Sequence, residues 1–133
     1  MTHQFYMHFD TMPKATAQQK GVSFKGKKPI FYTKSKVRAA RDQFMSELIK
    51  NKPKAPSEKP IRLMVIFYFD VKDKSKWGKV KPTRPDTENY LKLLKDCMIG
   101  VFFKDDSQVV DERTKKYYAE KATIYVSWEE VDE

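Results

Sequence analysis

Residues 84–109 read RPDTENYLKLLKDCMIGVFFKDDSQV, and this stretch carries the clearest structural pattern in the chain. Its apolar side chains fall on one arc at 3.6 residues per turn, which predicts an amphipathic helix. Asp86 or Thr87 can cap the start of this helix, and Gly100 stands where a residue of left-handed conformation often ends one. We therefore predict a helix that runs to about Ile99 and is followed directly by a turn.

On both sides of this helix the chain carries strand patterns. Residues 3–9 alternate between apolar and polar side chains, which predicts a strand with one buried face. Residues 61–71 are apolar on both faces and are the best candidate for a central strand covered on two sides. Residues 108–118 and 122–128 read as two further strands joined by a tight turn, and we predict a hairpin there.

The remaining segments predict a second helix and two exposed elements. Apolar residues recur at helical spacing between Thr33 or Ser35, either of which can cap a helix, and about Asn51. Residues 22–32 favour a short hairpin with a basic turn. Residues 72–85 are polar, basic and interrupted by glycine and prolines, which indicates a long mobile loop.

These elements predict one α+β domain over residues 1–133, with a mixed sheet and two main helices. The only cysteine, Cys97, excludes an internal disulfide and fits a reducing compartment. No apolar stretch approaches the roughly 18 residues of a membrane span, and the N-terminus lacks a signal-peptide pattern. We expect a cytoplasmic protein with no membrane partner and no nucleotide cofactor.

The charge distribution favours a polyanionic partner. Residues 1–60 hold 13 Lys and Arg against 4 Asp and Glu, whereas residues 61–133 hold 14 of each. The net charge of +9 attracts nucleic acid, although a merely soluble basic protein has the same composition. Candidate DNA-binding residues are Lys14, Lys25, Lys27, Lys28, Lys76, Trp77, Lys79, Lys81 and Arg84. The Trp77 ring either stacks on an unpaired base or folds back on the domain.

Acidic residues flank the predicted helix. Asp86 and Glu88 are close enough to share a hard cation such as Mg²⁺, which needs only one or two protein carboxylates. Asp105 or Asp106 can return toward Asp86 only if the connection runs antiparallel to the helix. The alternative interpretation makes Asp86 an N-cap, Glu88 a partner of the helix dipole, and the Asp105-Asp106 pair turn residues.

The spacing of these groups resembles a known family signature. PDTENYLK at 85–92, then Asp96, then GVFFKDDSQV at 100–109 is similar to the motif of the RusA family of Holliday junction resolvases. The likeness covers most of the chain and is most specific over residues 84–111. One position departs from the pattern, because Glu88 stands where the family usually has aspartate.

The resemblance implies a homodimeric, Mg²⁺-dependent endonuclease that nicks two opposed strands of a four-way DNA junction in recombination and repair. By position it implies metal ligands Asp86, Glu88 and Asp106, with Lys92 as an essential basic partner. Asp96 and Asp105 are secondary candidates. Two alternatives stay open, a branched-DNA-binding protein without catalysis and a nuclease acting on other substrates. The source can be a phage, a prophage or a cell.

Overall fold

The computed structural model describes residues 1–14, 23–25, 28–30 and 34–132. The strands are β1 (Thr2–His8), β2 (Ser23–Lys25), β3 (Lys28–Ile30), β4 (Ile61–Asp70), β5 (Val109–Ala119) and β6 (Thr123–Glu130). The α-helices are α1 (Lys34–Leu48) and α2 (Thr87–Met98). Short 3₁₀ turns lie at Ile49–Asn51, Lys74–Lys76 and Asp106–Gln108.

Four of the strands form one mixed sheet in the order β1-β6-β4-β5. β4 pairs with β5 in parallel, whereas β1 with β6 and β4 with β6 are antiparallel. The mixed sheet with its two helices confirms the predicted α+β class. The short strands β2 and β3 pair antiparallel, as predicted for residues 22–32, although residues 26–27 at their turn lie outside the described part of the chain.

The predicted hairpin of residues 108–128 is wrong, because β4 lies between β5 and β6. The two strands have the predicted residues, yet each bonds to β4 and not to the other. The connection at 120–122 therefore crosses the end of β4, about 10 Å from one outer strand to the other. Three extended residues can span this distance. A short loop between two strands does not specify whether those strands are neighbours.

The helices cover one face of the sheet. The buried residues of β4 alternate along the strand, and they are Ile61, Leu63, Val65, Phe67 and Phe69. Tyr90 of α2 lies against Phe67 and Phe69, with ring centroids 4.9 and 5.4 Å apart, and against Phe44 of α1 at 5.7 Å. Burying an aromatic ring of this size stabilises the fold by roughly 2–3 kcal/mol. The prediction that these apolar residues of β4 and α2 are buried is confirmed.

The opposite face of the sheet is only partly buried. Ile66, Tyr68 and Tyr125 are partly exposed there, and the Tyr6 side chain is 57% exposed. These four residues form what we call the open tyrosine face. The prediction that β4 is covered on two sides is therefore wrong for the described part of the chain, in which the helices pack on one face only. The sequence pattern was still apolar on both faces, so the open face is suited to contact with another surface.

Two contacts between α2 and β5 show how the helix is oriented on the sheet in the β4–α2–β5 unit. The Lys95 ammonium near the end of α2 lies 2.8 Å from Glu112 near the start of β5. At the start of α2, the Lys116 ammonium lies 2.6 Å from the Pro85 carbonyl oxygen. α2 therefore runs antiparallel to β5, and its N-terminus lies at the carboxyl end of β4. Gly100 has φ +84° and ends the helix as predicted.

Candidate active site

A cleft of about 720 Å³ opens at the carboxyl end of β4. Ligands commonly bind beyond the carboxyl ends of strands in sheets that contain such parallel units. The side chains that line the cleft are Thr11, Met12, Pro13, Lys14, Phe69, Asp70, Val71, Lys81, Arg84, Pro85, Asp86, Asn89 and Tyr118. Asp86, the first predicted metal ligand, therefore lines this cleft.

Asp86 occupies the N-cap position of α2, yet its carboxylate makes no capping hydrogen bond. Asp73 and Asp105 stand at N-caps of 3₁₀ turns, and the carboxylate of each accepts a hydrogen bond from the backbone N–H two residues on. Asp86 is therefore the N-cap residue by backbone position, as the alternative interpretation holds, but its side chain does not cap the helix. Asp86 is exposed and lines the cleft instead.

Three predicted DNA-binding residues, Lys14, Lys81 and Arg84, line the same cleft. The Lys81 ammonium lies 5.3 Å from the Phe69 ring centre and 5.0 Å from that of Tyr118. The hydrogen bond with Thr83, followed by nearby lysine charge, lowers the pKa of the Tyr118 hydroxyl. The cleft thus has a positive rim around a carboxylate, an arrangement that attracts phosphate.

The wall of the cleft that carries Lys14 is held by two buried or half-buried side chains. The Asp70 carboxylate accepts hydrogen bonds from the Thr11 hydroxyl and the Met12 backbone N–H, both at 2.9 Å. The Tyr90 hydroxyl donates to the Pro13 carbonyl, and burial raises the pKa of Tyr90. Sequence reasoning assigned Asp70 no role, because only the fold brings β4 to this loop.

The second acidic group lies at the other end of β4. The Gln108 side-chain amide donates to the carbonyls of Ser57 and Lys59, both at 2.9 Å, just before β4 begins. Asp106 stands two residues earlier and is exposed. Since the ten residues of β4 span roughly 30 Å, Asp106 is separated from Asp86 by most of that length. What returns antiparallel to α2 is β5, which begins only after Asp106.

Asp105 and Gln108 are occupied by the local fold. The Asp105 carboxylate accepts hydrogen bonds from the backbone N–H and the hydroxyl of Ser107, and these bonds lower the pKa of Asp105. The Gln108 side-chain oxygen accepts from the backbone N–H groups of Lys104 and Asp105, both at 2.8 Å. The turn-residue interpretation therefore describes Asp105 correctly.

Comparison with known proteins identifies the family of the chain. Residues 10–129 match the family described as Endodeoxyribonuclease RusA. The chain belongs to the RusA family. It is 37% identical over 135 residues to the Crossover junction endodeoxyribonuclease rusA of Lactococcus phage r1t, covering 98% of this chain and all of the phage protein. It is also 43% identical over 61 residues to the uncharacterized protein YqaN of Bacillus subtilis strain 168, covering 45% of this chain and 43% of YqaN.

The RusA motif places its other charged residues along one outer stripe of α2. Glu88, Lys92 and Asp96 are spaced four apart, and Lys92 lies 4.0 Å from the Asp96 carboxylate. Glu88 and Lys92 are exposed, and neither lines the cleft that holds Asp86. Membership in the RusA family makes the chain an endodeoxyribonuclease.

The predicted metal ligands Asp86, Glu88 and Asp106 lie in two separate places on one chain. In the described residues, no group of three or more His, Cys, Asp or Glu side chains is positioned to hold a metal ion. Magnesium binds oxygen at about 2 Å, so Asp86 and Asp106 of the same chain cannot bind one ion. Asp86 and its neighbour Glu88 fit the one or two carboxylates that Mg²⁺ takes, but the complete set of three does not fit within one chain.

The basic segment before Asp86 is more ordered than an irregular loop. It contains the 3₁₀ turn at Lys74–Lys76, and Val80 pairs with Tyr117 of β5. The Trp77 indole N–H donates to the Val71 carbonyl at 2.8 Å, so the ring folds back on the domain, which was the second of the two alternatives. Lys76 lies 5.4 Å from the centre of the Tyr118 ring. The side chains of Lys25, Lys27 and Lys28 lie outside the described part of the chain.

Neither α1 nor α2, the α-helices of the described residues, has the length and apolar character that crossing a membrane requires. Burial raises the pKa of the Cys97 thiol to about 11, so this cysteine is a packing residue of α2 and not a nucleophile.

Proposed function

We propose that this chain resolves four-way DNA junctions by paired, Mg²⁺-dependent nicks in recombination and repair. The observation that carries the proposal is Asp86, which stands in the RusA motif, does not cap its helix and lines a cleft with a basic rim. The phage relative is described as a crossover junction endodeoxyribonuclease, which supports the same substrate for this chain.

DNA binding follows from the charges around the cleft. Lys14 and Arg84 are exposed at its rim, and Lys81 lies between its two aromatic rings. These side chains neutralise backbone phosphates, an interaction that is independent of sequence and weakens with salt. Selectivity for a junction then rests on the shape of the branch more than on base reading.

We assign Asp86 and Glu88 as carboxylates that hold Mg²⁺ in each active site. When bound, the ion polarises the scissile phosphate and makes a coordinated water a better nucleophile. Lys92 lies one helical turn after Glu88, and its exposed ammonium can orient the phosphate and stabilise negative charge that develops during the reaction. Glu88 reaches one methylene farther than aspartate, which changes rate or metal preference more than the identity of the reaction.

The third predicted ligand, Asp106, requires a second chain. Asp106 lies at the opposite end of β4 from Asp86, so the carboxylate that completes the site comes from the partner protomer of a homodimer. The open tyrosine face supports dimer formation, because Tyr6 is exposed there and the neighbouring Ile66, Tyr68 and Tyr125 are only partly buried. A two-fold dimer also matches the two opposed strands of a four-way junction, because one symmetry operation supplies both active sites.

The proposal is tested by incubating the protein with a labelled synthetic four-way junction, with Mg²⁺ or with EDTA, beside the Asp86→Asn variant. We expect paired symmetric nicks that need both Mg²⁺ and Asp86. Tight junction binding without cleavage under any divalent metal would leave a structure-selective binding protein. Equal cleavage of junctions, flaps, linear DNA and RNA would contradict the substrate that we propose.

A further inference from the structure

Lys116 places its ammonium beneath the segment that carries Asp86. It pairs with Phe67 in the parallel register of β4 and β5, so its side chain lies on the face covered by the helices. Its Nζ donates to the backbone carbonyls of Thr83 and Pro85, the latter at 2.6 Å. One side chain therefore holds the chain on both sides of Arg84, immediately before Asp86.

The backbone of β5 holds the residues before this point. The Lys81 N–H donates to the Lys116 carbonyl at 3.1 Å, and the Tyr118 N–H donates to the Lys79 carbonyl at 2.8 Å. The backbone hydrogen bonds from this segment to β5 end at Lys81, and Pro85, which has no N–H to donate, cannot resume them. The Lys116 ammonium takes over where backbone pairing stops, and it extends the attachment of the segment as far as Asp86.

We propose that Lys116 is a positioning residue for Asp86, and that it acts through the carbonyls of Thr83 and Pro85 and not by contact with DNA. The inference rests on the proposed function, since it concerns the carboxylate that we assign to catalysis. A lysine ammonium has three N–H donors, and here two of them are directed to carbonyls of the protein itself. A lysine that serves mainly as a phosphate ligand would direct its donors outward.

The kinetic test compares Lys116→Met, which keeps the aliphatic stem, with Lys116→Arg, which keeps charge and donors. A displaced carboxylate lowers the chemical step, so we expect kcat on a junction to fall by about 10²-fold in Lys116→Met while KM stays within about threefold. We expect Lys116→Arg to recover at least about tenfold of that loss. Lys121→Met removes the same charge from an exposed turn and should leave both parameters within about twofold.

A second measurement follows the backbone without any reaction. We expect amide hydrogen exchange in residues 83–90 of the free protein to be about tenfold faster in Lys116→Met, because two hydrogen bonds from a charged donor are lost. Exchange in α1 should not change. If Lys116→Met does not fold, Lys116→Gln, which keeps a shorter donor, takes its place in both measurements.

The outcomes separate this inference from the proposed function. A raised KM with unchanged kcat would make Lys116 a DNA ligand and overturn the inference, as would unchanged kcat together with unchanged exchange. Equal losses in Lys116→Met and Lys116→Arg, with unchanged exchange, would also overturn it. If the wild-type protein cleaves no junction, the proposed function fails, and the exchange measurement still decides whether Lys116 holds the Asp86 segment.

Discussion

Asp86 and Asp105 stand at the N-caps of two helical turns at opposite ends of the β4–α2–β5 unit. The Asp105 carboxylate bonds to Ser107 within its own turn, whereas the Asp86 carboxylate makes no capping bond and lines a cleft. An aspartate at an N-cap position thus has two different roles in this protein. At one end the carboxylate stabilises a turn, and at the other it makes no bond to its own helix and is available to the cleft.

The largest expected effect comes from substitutions of Asp86 and Asp106, which test whether these two residues of different protomers form one active site. Asp86→Asn and Asp106→Asn should each be inactive alone, with turnover lower by about 10³-fold. After the two variants are unfolded and refolded together, each mixed dimer has one complete site if Asp106 acts on the partner's Asp86. Random pairing makes about half of the dimers mixed, and each of these has one complete site of two, so about a quarter of the wild-type number of active sites is restored. We expect these sites to make single nicks, which cleavage of a labelled junction measures.

The control for this experiment mixes Asp86→Asn with a chain that carries both substitutions. This mixture has no complete site in any arrangement and should stay inactive. An inactive mixture of the two single variants would contradict a site that is shared between the two protomers.

A smaller effect is expected at Glu88. Glu88→Gln removes a proposed metal ligand and should lower kcat by about 10²-fold, while Glu88→Asp keeps the charge and should stay within about fivefold of the wild type. Cleavage rates measured over a range of Mg²⁺ concentrations check this, since a lost ligand also raises the concentration needed. Equal activity of Glu88→Gln and the wild type would exclude Glu88 as a ligand.

At the other end of the unit we expect an effect on stability. Gln108→Leu removes two hydrogen bonds to residues 57–59 and two within the Asp105 turn, and it should destabilise the fold by about 2 kcal/mol. This corresponds to a Tm lower by about 6 °C in thermal unfolding. The matched variant Gln43→Leu, at an exposed position of α1, should change Tm by less than about 1 °C. Equal Tm changes in both variants would show that the turn is not held by Gln108.

The smallest effect is a pH dependence at Asp105. Its pKa is lowered in the fold from 3.8 by the bonds to Ser107, so its contribution to stability is present above pH 3.8 and is lost as pH falls below that value. Asp105→Ala should therefore have a lower Tm than the wild type near neutral pH. The difference should narrow as the pH falls below about 4, and a difference that stays constant to about pH 2.5 would contradict the assignment.

The local parts of the fold could be predicted from the sequence. The residues of α2, its end at Gly100 and the buried face of β4 follow from periodicity and backbone preference, which are properties of short segments. The neighbours of β5 could not be predicted, because a short connection fits both a hairpin and a crossing over β4. That choice depends on contacts between residues far apart in the sequence.

The candidate site shows the same division: its residues could be predicted from the sequence, but their relative positions could not. The RusA motif identified Asp86 and the second acidic group, but it could not show that the two lie at opposite ends of β4. The contacts of Asp70 and Lys116 were not predicted either. The approach of residues 11–14 makes Asp70 part of the cleft, and the parallel register of β4 with β5 brings Lys116 to the segment before Asp86. Neither contact can be predicted from the spacing of residues along the chain.

The most direct test of the account compares Asp86→Asn with Asp105→Asn, an identical change at the two N-caps, by measuring single-turnover cleavage of a four-way junction in Mg²⁺. We predict that Asp86→Asn lowers the rate by about 10³-fold while junction binding persists, and that Asp105→Asn stays within about threefold of the wild type. Equal losses in the two variants, or a greater loss in Asp105→Asn, would contradict the assignment of catalysis to the Asp86 cleft and of local structure to Asp105.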